Sequence, residues 1–207
     1  MEYRNIHWFG QSAFRIEDGV LQIYFDPFEL PADLPKADVI FITHAHFDHF
    51  SMEDIKKIKV KQTMIVAPID VAVKFENSAL GVVPGKEYTI GTWKVTTVPA
   101  YNIDKKFHPK EKKWVGYIIT LSNGQKVYHA GDTDFIPEMR EIYTDIAMLP
   151  CDGTYTMTAK QAAEAANTFK PKVLIPMHPG EGLGTIKAGE EVKKLFQGET
   201  LIKTREK

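Results

Sequence analysis

The chain has 207 residues, with 26 Lys+Arg against 27 Asp+Glu, a formal net charge of −1 and 43% hydrophobic residues. That balance excludes a nucleic-acid binder or a polybasic membrane binder working through bulk charge, and no apolar run reaches the ~18 residues that a membrane span needs. One cysteine, Cys151, excludes an internal disulfide and, with a charged N-terminal segment lacking an apolar h-region, predicts a cytoplasmic protein.

No Gly/Ser-rich or Pro-rich linker and no charge block divides the sequence, which predicts one domain over residues 1–207. Strands are predicted at 6–8, 13–16 and 21–25, the last two joined at the Asp18-Gly19 turn. Residues 39–43 (VIFIT) form a continuous apolar run, the pattern of a strand covered on both faces. Ser51, with Asp54 three residues on, opens a helix to about residue 58. Strands at 64–67, 87–90 and 94–99 follow, with a short helix over 70–75. The second half repeats the plan of the first. Strands 116–121 and 125–129 flank the Asn123-Gly124 turn, Asp132 answers Asp26, and 145–150 (DIAMLP) answers 38–43 (DVIFIT). Thr158, with Gln161 as capping-box partner, opens a helix that Lys170-Pro171 ends; strand 173–177, helix 187–196 and strand 200–203 complete the chain. Two β-rich blocks, each followed by helices, predict two packed mixed sheets flanked by helices.

The stretch that carries chemistry is His44-x-His46-x-Asp48-His49, at the end of the buried 39–43 run. His44 and His46 lie two apart, so in an extended segment they project to the same side and can hold one metal. Asp48 and His49, where the chain turns into the Ser51 helix, suit a second metal beside it. Gly131-Asp132 places a carboxylate after a strand, where it can bridge two divalent ions. His178 again follows a buried strand. Mixed nitrogen and oxygen donors accept zinc first, and also manganese, iron or nickel.

The order of these groups resembles the metallo-β-lactamase superfamily over nearly the whole chain. More narrowly, Trp8-Phe9-Gly10-Gln11-Ser12-Ala13-Phe14, Asp26-Pro27-Phe28 and His129-Ala130-Gly131-Asp132-Thr133 resemble the branch of ascorbate-phosphate lactonase and the N-acyl-phosphatidylethanolamine phospholipase D type. The resemblance implies an αββα sandwich and hydrolysis by a metal-activated water. The departure is at Val98-Pro99-Ala100-Tyr101-Asn102, where the superfamily usually places a histidine. Three substitutes are open: the Asn102 amide oxygen, a water, or His108 reaching back across its loop. On this reading the site of His44 and His46 binds metal more weakly than that of Asp48, His49, Asp132 and His178, and Asn102→His strengthens it.

Other residues have narrower expectations. Asp26 either orients a ligating histidine or shapes the turn before Pro27. His129 supports the site from behind or belongs to the core, and His7 is structural. Cys151 is a small buried hydrophobe rather than a thiolate ligand. Tyr155 either contacts substrate or packs. The 105–113 loop holds five lysines and His108, which either attract an anion or remain solvated.

Together these predict a hydrolase carrying one or two divalent ions, with Asp48 and Asp132 as the catalytic carboxylates. The predicted substrate is a small anionic lactone or phosphodiester. Neither nucleic acid nor membrane insertion enters, and a homo-oligomer stays open. The alternatives are a non-enzymatic, metal-binding member of the fold and a di-iron redox protein; Ala45, where the redox type commonly carries glutamate, argues against the latter.

Overall fold

The computed structural model describes residues 3–76, 78–179 and 184–207, and side chains other than those of residues 184–186. It groups the chain into two compact units, Met1–Val82 with Thr204–Lys207, and Val83–Lys203, each built on one mixed sheet and a pair of helices. The α/β organisation expected from the sequence is the one observed.

In the first unit the sheet runs β1 (Ile6–Gly10), β2 (Ala13–Asp18), β3 (Leu21–Phe25), β4 (Val39–Phe41), β5 (Met64–Pro68), β6 (Leu80–Val82), in that spatial order. β1, β2 and β3 pair antiparallel; β3 through β6 pair parallel. Val39, Ile40 and Phe41 are all buried, because a parallel strand here is covered on both faces. One face takes the helices: Ile55 and Ile58 of α1 (Met52–Ile58) and Val71 and Ala72 of α2 (Ile69–Ala72) pack with Tyr24, Ile40, Ile42, Ile65 and Ala67. Ser51 caps α1 by accepting from the Asp54 N–H, as its spacing predicts.

The second unit orders its sheet β13 (Glu199–Thr200), β12 (Val173–Met177), β11 (Ile146–Pro150), β10 (Lys126–His129), β9 (Val115–Thr120), β8 (Trp93–Pro99), β7 (Glu87–Ile90). β7 to β10 pair antiparallel and β10 to β13 parallel. This is the first unit's scheme again, a meander handing over to parallel strands, and it is what the half-repeat in the sequence reflects. The capping box of Thr158 and Gln161 opens α3 (Ala159–Phe169), whose alanine face is buried; α4 (Gly184–Leu195) begins three residues earlier than predicted. Strand β6 was not anticipated. Residues 42–43 lie past the end of β4, and residues 201–203 past the end of β13. Among the described residues no helix is long and apolar enough to cross a membrane.

Candidate metal centre

Each unit delivers its polar cluster from the C-terminal ends of its parallel strands, where successive strands bring residues distant in sequence to one sheet edge. In the first unit β3 ends at Asp26 and β4 leads to Thr43 and His44. Asp26 is fully buried and sits in the left-handed region, φ 43°. Its carboxylate is heavily engaged. Oδ1 accepts from the Thr43 N–H (2.7 Å), and Oδ2 accepts from the Thr43 hydroxyl and faces His49 Nδ1, both at 2.7 Å. Asp26 thus meets His49 Nδ1 in the geometry that an orienting partner needs, and at φ 43° it also shapes the turn before Pro27.

That anchoring fixes the imidazole tautomers. The Thr43 hydroxyl gives its only proton to Asp26, so at His44 Nδ1, 2.9 Å away, it accepts. A carboxylate can only accept, so His49 Nδ1 carries the proton there. Both rings then present an Nε2 lone pair. His44 Nε2 lies 3.1 Å from His46 Nδ1, and His49 Nε2 lies 3.6 Å from Asp48 Oδ2. The turn that stacks these rings is closed by the His46 carbonyl, which accepts from the N–H groups of His49 and Phe50.

The second unit repeats the device. Asp132 Oδ2 stands 3.3 Å from His108 Nε2 and 3.5 Å from His178 Nε2. Asn102 Oδ1 accepts from the His108 backbone N–H (3.0 Å) and meets His108 Nδ1 at 3.1 Å, so Nδ1 holds the proton and Nε2 the lone pair. His178, at φ 44° straight after β12, places Nδ1 3.2 Å from Asp152 Oδ2, with the same consequence. Burial raises the Asp152 carboxyl pKa, but His178, the Thr156 hydroxyl and the Tyr155 N–H together hold it below the ordinary value of 3.8. A strained backbone at both Asp26 and His178 is the kind of feature that surrounding structure maintains at functional sites.

Two imidazole Nε2 atoms converge on one carboxylate, an arrangement satisfied by a proton on each Nε2 or by a cation held among them. This donor set, nitrogen with oxygen and each ring braced at its far nitrogen, fits a divalent metal. Asn102, one of three open substitutes for the missing histidine, is placed differently from a ligand: its amide oxygen is occupied by His108, and its Nδ2 donates to the Tyr155 carbonyl at 3.0 Å. His108, fully buried beside Asp132, is the imidazole of that loop.

The remaining candidates fall outside the donor set. His129 is buried, and its Nδ1 accepts from the Gly131 N–H (3.3 Å), bracing the turn that carries Asp132. Tyr155 is half-exposed and meets the Phe107 ring edge-on. Burial pushes the Cys151 thiol up to about 12, with Asp152 and Glu191 adding to the effect, which suits an inert core thiol. His7 pairs with Glu206 and Glu17 at the far end of the sequence scheme. Of the lysine loop, Lys105 is tied to Asp134 (2.6 Å) and Lys110 to Glu138 (3.1 Å). Sequence reasoning did not single out Asp152, which stands two residues past the buried parallel strand β11, and that position was the available signal.

A family model described as "Beta-lactamase superfamily domain" matches residues 5–178, taking in residues of both units. A UPF0173 metal-dependent hydrolase of Pyrococcus abyssi is 34% identical over 92% of this chain and 91% of its own length. Among solved structures, a protein of Parabacteroides distasonis is 34% identical, with a TM-score of 0.86 over 96% of this chain and 91% of that one. Igni18, a metallo hydrolase of Ignicoccus hospitalis, is 25% identical with a TM-score of 0.78, covering 98% and 95%. Matches of that extent and identity leave one conclusion: the chain belongs to the β-lactamase superfamily and, within it, to the UPF0173 metal-dependent hydrolase family.

Proposed function

We propose that this member of a metal-dependent hydrolase family cleaves a lactone or phosphodiester bond of a small anionic substrate, with one or two divalent ions. The observation that carries the reading is the Asp132 carboxylate flanked by two Nε2 lone pairs whose rings are braced at Nδ1. His44, His46, Asp48 and His49 in the first unit, and His108, Asp132 and His178 in the second, are the groups that would hold the metal. Such an ion, when bound, lowers the pKa of water from 15.7 toward about 7 and polarises the oxygen of the scissile bond. Zinc suits this mixed set first, with manganese, iron and nickel also compatible.

The chain's own groups supply orientation. Asp48 and Asp132 accept hydrogen bonds from the attacking water and aim it, while Asp26, Asn102 and Asp152 keep each imidazole in the ligating tautomer. The motifs shared with the lactonase and phospholipase D branch support the choice of bond. The exposed lysines of the 105–113 loop, Lys106, Lys112 and Lys113, support an anionic substrate. The non-enzymatic alternative drew on Asn102 removing a nitrogen donor, and His108 in the same loop answers that loss.

The test is a comparison of metal-loaded and metal-free protein against panels of lactones, phosphodiesters and thioesters. Turnover of a lactone or phosphodiester that disappears with the metal is the expected result. Full metal binding without turnover of any panel member would favour the non-enzymatic alternative.

A further inference from the structure

The loops that carry the proposed ligands also turn large apolar side chains out to solvent. Phe47, between His46 and Asp48, is 77% exposed and meets the Phe28 ring edge-on with centroids 5.8 Å apart. In the other unit Phe107, directly before His108, is 44% exposed and meets Tyr155, 46% exposed, edge-on at 4.7 Å. Ile103, 55% exposed, lies at the start of the same loop.

Single exposed hydrophobic residues need no explanation, but these are paired and held in place. Phe107 is fixed by its neighbour, whose N–H donates to Asn102 Oδ1. Tyr155 is fixed on both sides of its backbone: its N–H donates to Asp152 Oδ1 (2.6 Å), and its carbonyl accepts from Asn102 Nδ2. Asn102 and Asp152 are the groups that brace His108 and His178, so the aromatic pair is positioned by the framework that positions the imidazoles. Rings pre-ordered in this way offer contact area at little conformational cost. The charged alternative is weaker than the lysine count suggests, since Lys105 and Lys110 are already paired with Asp134 and Glu138.

We infer that the substrate is amphiphilic: its hydrolysable group carries an alkyl or aryl body of several carbons, which lies on the Phe107–Tyr155 pair. The inference rests on the hydrolase reading above and adds the substrate's apolar portion to it.

The experiment uses the metal-loaded full chain and two homologous series, γ-lactones and p-nitrophenyl phosphodiesters, each with methyl, propyl, pentyl and heptyl substituents. kcat/KM should rise about fourfold for each methylene that becomes buried. Phe107→Ala should flatten that rise, so that the heptyl compound loses about tenfold more than the methyl one, and Phe107→Leu should restore part of the slope. Metal content and circular dichroism of each variant separate this from a folding defect. Cleavage with no dependence on chain length, in wild type and Phe107→Ala alike, would overturn the inference while leaving the hydrolase reading in place. Absence of metal-dependent cleavage in both series would overturn both. Sedimentation with neutral phospholipid vesicles that depends on Phe107, without a chain-length effect, would assign the ring to a lipid surface and also overturn it.

Discussion

Asn102 shows how one residue's chemistry depends on where its neighbours fall. An amide oxygen is a poor donor to zinc, which is why the sequence predicts a weak site and a gain from Asn102→His. With that oxygen receiving two contacts from His108, the expectation reverses. Asn102→His removes the acceptor that holds the His108 tautomer, and it should weaken the tighter-held fraction of metal by about ten- to hundredfold, the usual effect of losing an outer orienting partner. Asn102→Asp keeps an acceptor and should lose less, whereas His108→Ala should lose at least as much as Asn102→His. A chelator competition with the wild type and these three variants reads the order. His7→Ala serves as the control, since His7 answers to Glu206 and Glu17 and should hold metal as the wild type does. Tighter binding in Asn102→His would restore the reading taken from sequence. Nothing in the spacing of residues 102 and 108 tells that the loop closes on itself through the Asn102 N–H and the His108 carbonyl, 2.7 Å apart.

At the scale of elements, strand ends set the accuracy of the site. Gly116 in β9 faces the last residues of β10, and a Cβ there would stand 2.6 Å from the Ala130 carbonyl oxygen and 2.7 Å from that of His129. Both are backbone atoms that cannot swing aside. Gly116→Ala should therefore cost about 1–3 kcal/mol in urea unfolding, and it should also weaken metal binding, because the displaced segment leads through Gly131, at φ 63°, to Asp132. Stability lost with metal affinity intact would mean that the β10 end does not govern Asp132. Elements with a strong local signal were legible in advance: the β-branched run of β4, the Ser51 cap, the Thr158–Gln161 box. β6 was not, since three residues containing a glycine, Leu80-Gly81-Val82, carry no period of their own and form a strand by pairing with β5. The β4 run was read two residues too long because the Thr43 N–H, which looks like a ladder donor, goes to Asp26 instead.

Across the whole molecule, the half-repeat noticed in the sequence acquires a structural meaning. Both units pass from an antiparallel meander to parallel strands, and in both the polar groups follow the parallel strands: Asp26, Thr43 and His44 after β3 and β4, then Asp132, Asp152 and His178 after β10, β11 and β12. The six histidine and aspartate ligands proposed from sequence stand out there because metal-donor chemistry falls at or shortly after the ends of buried strands. Asp152 does not, because carboxylates after strands are common and their role depends on which imidazole they meet.

The central claim, that Asp132 with the imidazoles of His108 and His178 holds a divalent metal, is tested most directly by anomalous diffraction from crystals grown with zinc or manganese. The account predicts an anomalous peak within bonding distance of Asp132 Oδ2, with His108 Nε2 or His178 Nε2 among its other ligands. Peaks confined to surface carboxylates, with none at Asp132, would contradict it.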